Sequence, residues 1–386
     1  MVIVDGIADA LLMSFDMFWE VLWPLVLGFA LSGAVQAVVS KREMQRLLPD
    51  DSPKTLVVAT GLGAASSSCS YAAVALARSL FRRGADFTAA MAFEFASTNL
   101  VFELGIVIGL LLGWEFVLGE FIGGPLMIVL LALVFRVFLK KKLVDDALVQ
   151  ANRGLVGSME AHAEMDMSAE GEGSWWQRLR TPKGFTATAD YFVMDWAAIW
   201  RDIAIGLLIA GALAAWVPNS WWQSLFLVHH PTAAKFWGPV IGPFVAMLSF
   251  VCSVGNVPLA AVLWNGGISF GGVLAFIFGD LIVLPILNIY RKYYGWRMTG
   301  FLFASFYATM VAAGLAVEFL FEGIGIERKA RNAKVIDATV TWNYSTYLNI
   351  VFLTLAAVLL WRYFRRGGGL AMLRMMNRPM ETEHGH

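Results

Sequence analysis

Long apolar runs restrict this chain, before any motif is considered, to a helical fold solvated by lipid. Residues 18–39, 87–112, 116–139, 196–217, 270–290, 298–321 and 344–364 are such runs. Each approaches or exceeds the ~20 residues that a helix needs to cross hydrocarbon. Lipid offers no hydrogen bonds to the backbone, so runs of this kind fold as helices that satisfy themselves. Only 15% of the residues are charged, against about 25% in a soluble domain. The formal net charge is zero, which gives nucleic acid nothing to bind. Two cysteines cannot build a disulfide framework. The N-terminus carries Asp5, Asp9, Asp16 and Glu20 where a cleavable signal would carry basic residues.

A second constraint is duplication. Cys69-Ser70 and Cys252-Ser253 open segments that align without a gap at an offset of 183 residues, and 11 of 27 positions from 69–95 match 252–278. Composition alone would give about three matches. The preceding apolar runs align as well, Gly28 and Gly33 with Gly206 and Gly211. Repeated halves in an apolar chain mark a transporter whose site lies where the halves meet.

The stretches 55–80 and 238–263, which hold the Cys-Ser pairs, are too small, polar or broken for plain lipid-facing helices. Ser66, Ser67, Ser68 and Ser70 crowd the first; Gly242-Pro243, Gly255 and Pro258 interrupt the second. Basic residues decide how they run. With both stretches as re-entrant hairpins and the N-terminus outside, 24 of the 29 Lys and Arg fall inside and 5 outside. With both as full crossings the division is 13 to 16, and no orientation is sensible. The expected fold is therefore an all-α polytopic membrane protein of two inverted repeats. Each repeat has three transmembrane helices and a hairpin, and one helix is added at the C-terminus. The segments are a first repeat at 1–139, a polar cytoplasmic linker at 140–190, a second repeat at 191–321, a loop and final helix at 322–364, and a cytoplasmic tail at 365–386.

The candidate site follows from that arrangement. Hairpin tips facing each other at the midplane bring Ser68, Cys69 and Ser70 toward Cys252, Ser253 and Asn256, with Asn99 nearby as a further amide. Two thiolates there suit a soft, thiophilic ion or metalloid, but the default for such residues is that they pack hairpin tips closely, buried cysteine being usually inert. Ionisable residues inside spans are functional candidates, which singles out Glu94, Glu103 and Asp280 for proton coupling. Glu94 shares a helix face with Thr98, and Asn99 with Glu103, at i, i+4. A structural carboxyl bonded to broken backbone is the alternative. The Met159–Met167 stretch, with His162 and three acidic residues, lacks the ligand spacing of a metal site and reads as solvated linker. His229 and His230 sit among aromatic residues of an interfacial belt. Gly105 and Gly109 form a small-xxx-small pair that packs helices within one subunit or between subunits of a homo-oligomer.

The paired Cys-Ser tips, the Gly84-Ala85-Asp86-Phe87 turn and the run from Ala92 to Asn99 resemble the bacterial predicted-permease family that includes the organoarsenical efflux permeases. The resemblance spans 18–321 apart from the linker. Family tips are often richer in cysteine and followed by proline; here the first reads Cys69-Ser70-Tyr71, with Ala75 where the second has Pro258. It implies a secondary permease of the cell membrane, an efflux carrier for a small solute such as a metalloid or organoarsenical compound. No nucleotide-binding motif is present, and no cofactor or enzymatic activity is expected. A channel-like pore stays open as an alternative. A membrane thiol oxidoreductase using Cys69 and Cys252 would need a C-x-x-C pair or quinone ligands that the chain lacks.

Overall fold

The computed structural model describes residues 2–38, 47–66, 70–82, 84–152, 155–156, 175–216, 218–249, 253–326, 330–333, 342, 344–365 and 381–382. A 37-residue helix, α1 (Val2–Val38), comes first. It is followed by α2 (Pro53–Ser66), α3 (Ser70–Arg82), α4 (Phe87–Asn99), α5 (Phe102–Leu111) and α6 (Trp114–Phe138). Two short helices, α7 (Lys141–Ala151) and α8 (Trp175–Arg180), lead to α9 (Pro182–Trp216). The rest comprises α10 (Asn219–Leu225), α11 (Pro231–Ser249), α12 (Ser253–Gly266), α13 (Phe270–Phe278), α14 (Leu284–Ile324) and α15 (Tyr344–Arg365). The described strands are β1 (Leu155–Val156) and β2 (Glu381–Thr382), an antiparallel pair with Leu155 opposite Thr382. The chain is thus almost wholly helical. Ser68, Cys69 and Cys252, and the Met159–Met167 stretch, lie outside the described residues.

By length and composition, Trp114–Phe138, Leu284–Ile324 and Thr346–Arg365 can each cross a membrane, and α4 with α5 passes as one span bent by 41°. Val129, Leu133, Val137 and Phe138 on α6, and Ile350, Val351 and Trp361 on α15, are exposed. Apolar surface on that scale needs an apolar solvent. The molecule is a multi-pass membrane protein.

Two runs that read from sequence as unbroken spans are interrupted. The first stops at Asn99 and resumes at Phe102, with Val101 extended at ψ 146°. The second stops at Phe278, passes through a 3-10 turn at Gly279–Ile282, and resumes after Val283, also at ψ 146°. Pro285, at the start of α14, has no N–H to continue the preceding helix. The break at Asn99 contains neither glycine nor proline. One consequence is a correction: Asn99 and Glu103 do not share a helix face, because the helix ends between them. Glu103 faces α1, where a Cβ on Gly28 would lie 2.3 Å from its own Cβ.

Local structure recurs between the halves. Gly84 and Gly267 adopt φ of +102° and +111°, where a Cβ is disfavoured, and each ends a helix with the same pair of bonds. Ala85 N donates to Leu80 O at 3.1 Å, and Ile268 N to Leu263 O at 3.2 Å. The Asp86 side chain then caps α4 by accepting from Ala89 N, as Ser269 caps α13 by accepting from Gly272 N. All these pairs stand 183 residues apart. Packing of α1 on α9 is reciprocal. A Cβ on Gly33 would lie 2.8 Å from Thr188 O and 3.3 Å from Phe192 N, and one on Gly211 2.4 Å from Ala10 O and 3.2 Å from Ser14 N. The exchange is self-consistent: 211 − 33, 188 − 10 and 192 − 14 are all 178. The Ser14 hydroxyl ties the crossing by donating to Ala10 O and Leu207 O at 2.7 and 2.9 Å.

Contacts close the ends of the segments on either side of the Cys-Ser pairs. Asp86 N, beyond α3, donates to Leu48 O, before α2, at 2.9 Å. In the second half a Cβ on Gly238, inside α11, would lie 2.3 Å from Oγ of Ser269, the N-cap of α13. The molecule therefore has two ends. Leu48, Asp86, Phe135 and Tyr294 mark one, through the ring contacts of Phe87 with Phe135 and Tyr294. Phe116, Trp264, Phe270 and Phe321 mark the other. Gly105 and Gly109 settle within the chain, against Phe121 and Val117 of α6.

Candidate functional site

The helix break at Gly279–Ile282 places Asp280 in the interior, wholly buried. Two serines from opposite halves meet it. Ser70, the first residue of α3, donates its hydroxyl to Asp280 Oδ2 at 2.6 Å, and Ser253, the first residue of α12, donates to the same oxygen at 2.8 Å. These serines are equivalent positions of the duplicated sequence. Asn99, at the other helix break, turns its amide toward Oδ1 at 3.4 Å and donates to Thr98 Oγ1 at 3.0 Å. One carboxylate therefore gathers the first residues of α3 and α12 and both interrupted helices. None of Ser70, Ser253, Asn99 and Asp280 is more than 3% exposed. Asn256, one turn into α12 from Ser253, is fully buried as well.

Glu94 occupies the next position toward the Asp86 end. Its Oε1 accepts from the Tyr290 hydroxyl, while Oε2 has no partner among the described residues. Ser97 Oγ donates to the Glu94 carbonyl at 2.8 Å. Tyr290 is followed one helical turn later by Tyr294, their rings 6.2 Å apart. Beyond them Arg78 is buried over the Tyr293 ring at 4.4 Å and donates two hydrogen bonds to Ala151 O at the end of α7.

Of the residues singled out from sequence, the structure brings Ser70, Ser253, Asn99 and Asp280 together, sets Glu94 beside them, and turns Glu103 to α1. Ser68, Cys69 and Cys252 fall outside the described residues, so the thiols have no stated geometry. No group of three or more His, Cys, Asp or Glu positioned for a metal ion occurs among the described residues. Sequence reading passed over Tyr290 and Glu120. Glu120 is a fully buried carboxyl near the start of an apolar run, and the criterion that selected Glu94 applies to it as well. Tyr290, at the end of such a run, looks like an interfacial aromatic.

Such an arrangement can hold a small polar solute or ion between hydroxyls, an amide and carboxylates, shielded from water. A family model described as predicted permease matches residues 7–319. A Mycobacterium tuberculosis protein named "Putative permease Rv2963" is 61% identical over 349 residues, which cover 90% of this chain and 86% of the relative. The "UPF0718 protein YraQ" of Escherichia coli K12 is 24% identical over 135 residues, 35% of each chain. No solved structure matches significantly.

Proposed function

The chain belongs to the predicted permease family, and on that premise we propose that it is an ion-coupled secondary carrier whose solute passes between the two Cys-Ser tips at Asp280. The observation that carries this reading is the convergence of Ser70 and Ser253 on one oxygen of Asp280. A site shared by equivalent residues of two halves is accessible in turn from either face when the halves rock about it.

The halves are inverted, with the tips re-entrant. The reciprocal α1–α9 crossing supports this, since equivalent helices that pack antiparallel with exchanged contacts are related by an axis across them. The return of Asp86 to Leu48 supports the hairpin. Arg78, Arg82, Arg136 and Lys292 gather at that end, so it is cytoplasmic under the positive-inside bias. The N-terminus is then outside and the C-terminus inside the cell membrane. Glu94 and Asp280 carry the coupling proton: the spans around them contain no Lys or Arg, and a charge at the bilayer centre costs about 3 kcal/mol on insertion scales. Cys69 and Cys252, adjacent to the two serines, suit a thiophilic solute such as a trivalent organoarsenical.

Cross-linking tests the reading. In a background with Cys69 and Cys252 replaced by alanine, Ser70→Cys and Ser253→Cys should form a disulfide on oxidation. With the native cysteines in place, Ser70→Ala combined with Ser253→Ala should abolish efflux of methylarsenite, or of whichever solute in a vesicle screen shows saturable transport. Failure of the disulfide to form, or unchanged transport in the serine double mutant, would place the path elsewhere.

A further inference from the structure

Glu120 has no role in the carrier reading, yet no described carboxyl is more isolated. It is fully buried, and neither of its oxygens has a hydrogen-bond partner among the described residues. Its neighbours on α6 explain how it came to lie so deep. A Cβ on Gly119 would lie 2.6 Å from Leu274, on Gly123 2.9 Å from Phe278, and on Gly124 2.5 Å from Leu100. Absence of side chains at these positions lets α6 press against α13 and against the Asn99 break, with Glu120 enclosed at the contact. Phe278, against Gly123, precedes Asp280 by two residues.

The carboxyls on the elements packed around Glu120 are Glu94 on α4, Glu103 on α5 and Glu318 and Glu322 on α14, with Glu115 on α6 itself; α14 also carries Tyr290, Tyr293, Tyr294 and Tyr307, and Arg136 lies at the other end of α6, paired with Asp51. Basic residues of α14 stand at the far end, where Phe301 meets Phe135. Arg331, which stacks on Trp264 near Phe116, donates to the carbonyls of Trp264 and Ile268. An ionised carboxyl in such a place requires a cation, and a proton is the smallest available. The polar groups also fall in sequence through the molecule. Tyr294, Tyr290 and Glu94 run from the Asp86 end to Asp280, and Glu120, four residues from Phe116, continues toward the opposite end.

We propose that Glu120 is a second proton-carrying carboxyl, the station through which protons pass between Asp280 and the outer face. A proton from the outer solution binds a Glu120 oxygen, moves to Asp280, and leaves Glu120 ionised to take up the next. The proposal rests on the ion-coupled reading above but assigns a residue and a direction that it does not contain.

The test uses protons alone. Purified protein in sealed proteoliposomes of known orientation is given an acid step on its outer face, and the protonated-carboxyl C=O band is followed by infrared difference spectroscopy. Wild type should gain a component that Glu120→Gln lacks. Glu120→Asp, which keeps the carboxyl, should retain it at a shifted position and guards against misfolding of the amide variant. Glu94→Gln should lose a different component, one that responds to acid on the inner face. If Glu120→Gln gives the full wild-type response while Glu94→Gln and Asp280→Asn each lose theirs, Glu120 is not a station and the carrier reading survives. If no variant changes the response, both fall.

Discussion

Asp280 holds two serine hydroxyls on one oxygen, and that geometry makes a quantitative demand. Hydrogen bonds to a charged acceptor contribute about 1.5–3 kcal/mol each, and a buried group left short of a donor pays for the loss. Ser70→Ala and Ser253→Ala should each lower stability in detergent by about 1–3 kcal/mol. Because both donors serve the same oxygen, the double mutant should depart from additivity by at least ~0.5 kcal/mol; strictly additive losses in a chemical-unfolding cycle would show that the serines act independently. Glu94→Gln should preserve folding, since the amide oxygen can still accept from Tyr290, and should abolish gradient-driven accumulation while allowing solute exchange. The site's serines, Asn99, Asp280 and Glu94 were legible because duplication and intramembrane charge are properties of sequence. Tyr290 was not, since its partner lies 196 residues away and nothing local distinguishes it from a belt aromatic.

The helices themselves were legible from their apolar length, and their interruptions only in part. Gly279 and Pro285 announce the second break. At Asn99-Leu100-Val101 every residue could continue a helix, and what distinguishes that place is tertiary packing, with a Cβ on Gly124 lying 2.5 Å from Leu100 Cδ2. At the start of α2, Thr55 Oγ1 and Ser52 N donate to Asp50 at 2.6 and 3.0 Å and hold its carboxyl below the usual range. The unfolded chain binds that proton more readily, so this contribution is complete above the ordinary carboxylate range and fades as pH falls through the lowered value. Asp50→Asn should accordingly flatten the acid limb of a stability–pH profile, and an unaltered limb would contradict the assignment. The hairpin has a topological test too. Cysteines at Asp51 and Asp86, in the background lacking native thiols, should react with an impermeant reagent from the same face; labelling from opposite faces would require a full crossing.

Across the whole molecule, duplication explains more than any single motif. Turns and caps repeat at 183 residues and the α1–α9 crossing at 178, and Ser70 and Ser253 of the candidate site meet on Asp280. The segment between the halves is different in kind: Gly171-Glu172-Gly173 and its acidic surroundings offer little apolar area to offset ordering entropy. Deleting 160–173 should leave transport within about twofold of wild type, and an inserted but inactive deletion would refute this. The central claim is that solute movement is driven through the buried carboxylates. It is tested most directly by the accumulation ratio of methylarsenite, or of the first saturating solute in a screen, in everted vesicles across imposed pH gradients. Wild type should accumulate solute in proportion to the gradient and lose it with a protonophore, whereas Glu94→Gln and Asp280→Asn should only equilibrate it. Wild-type accumulation and an unchanged pH profile in both variants would contradict the account.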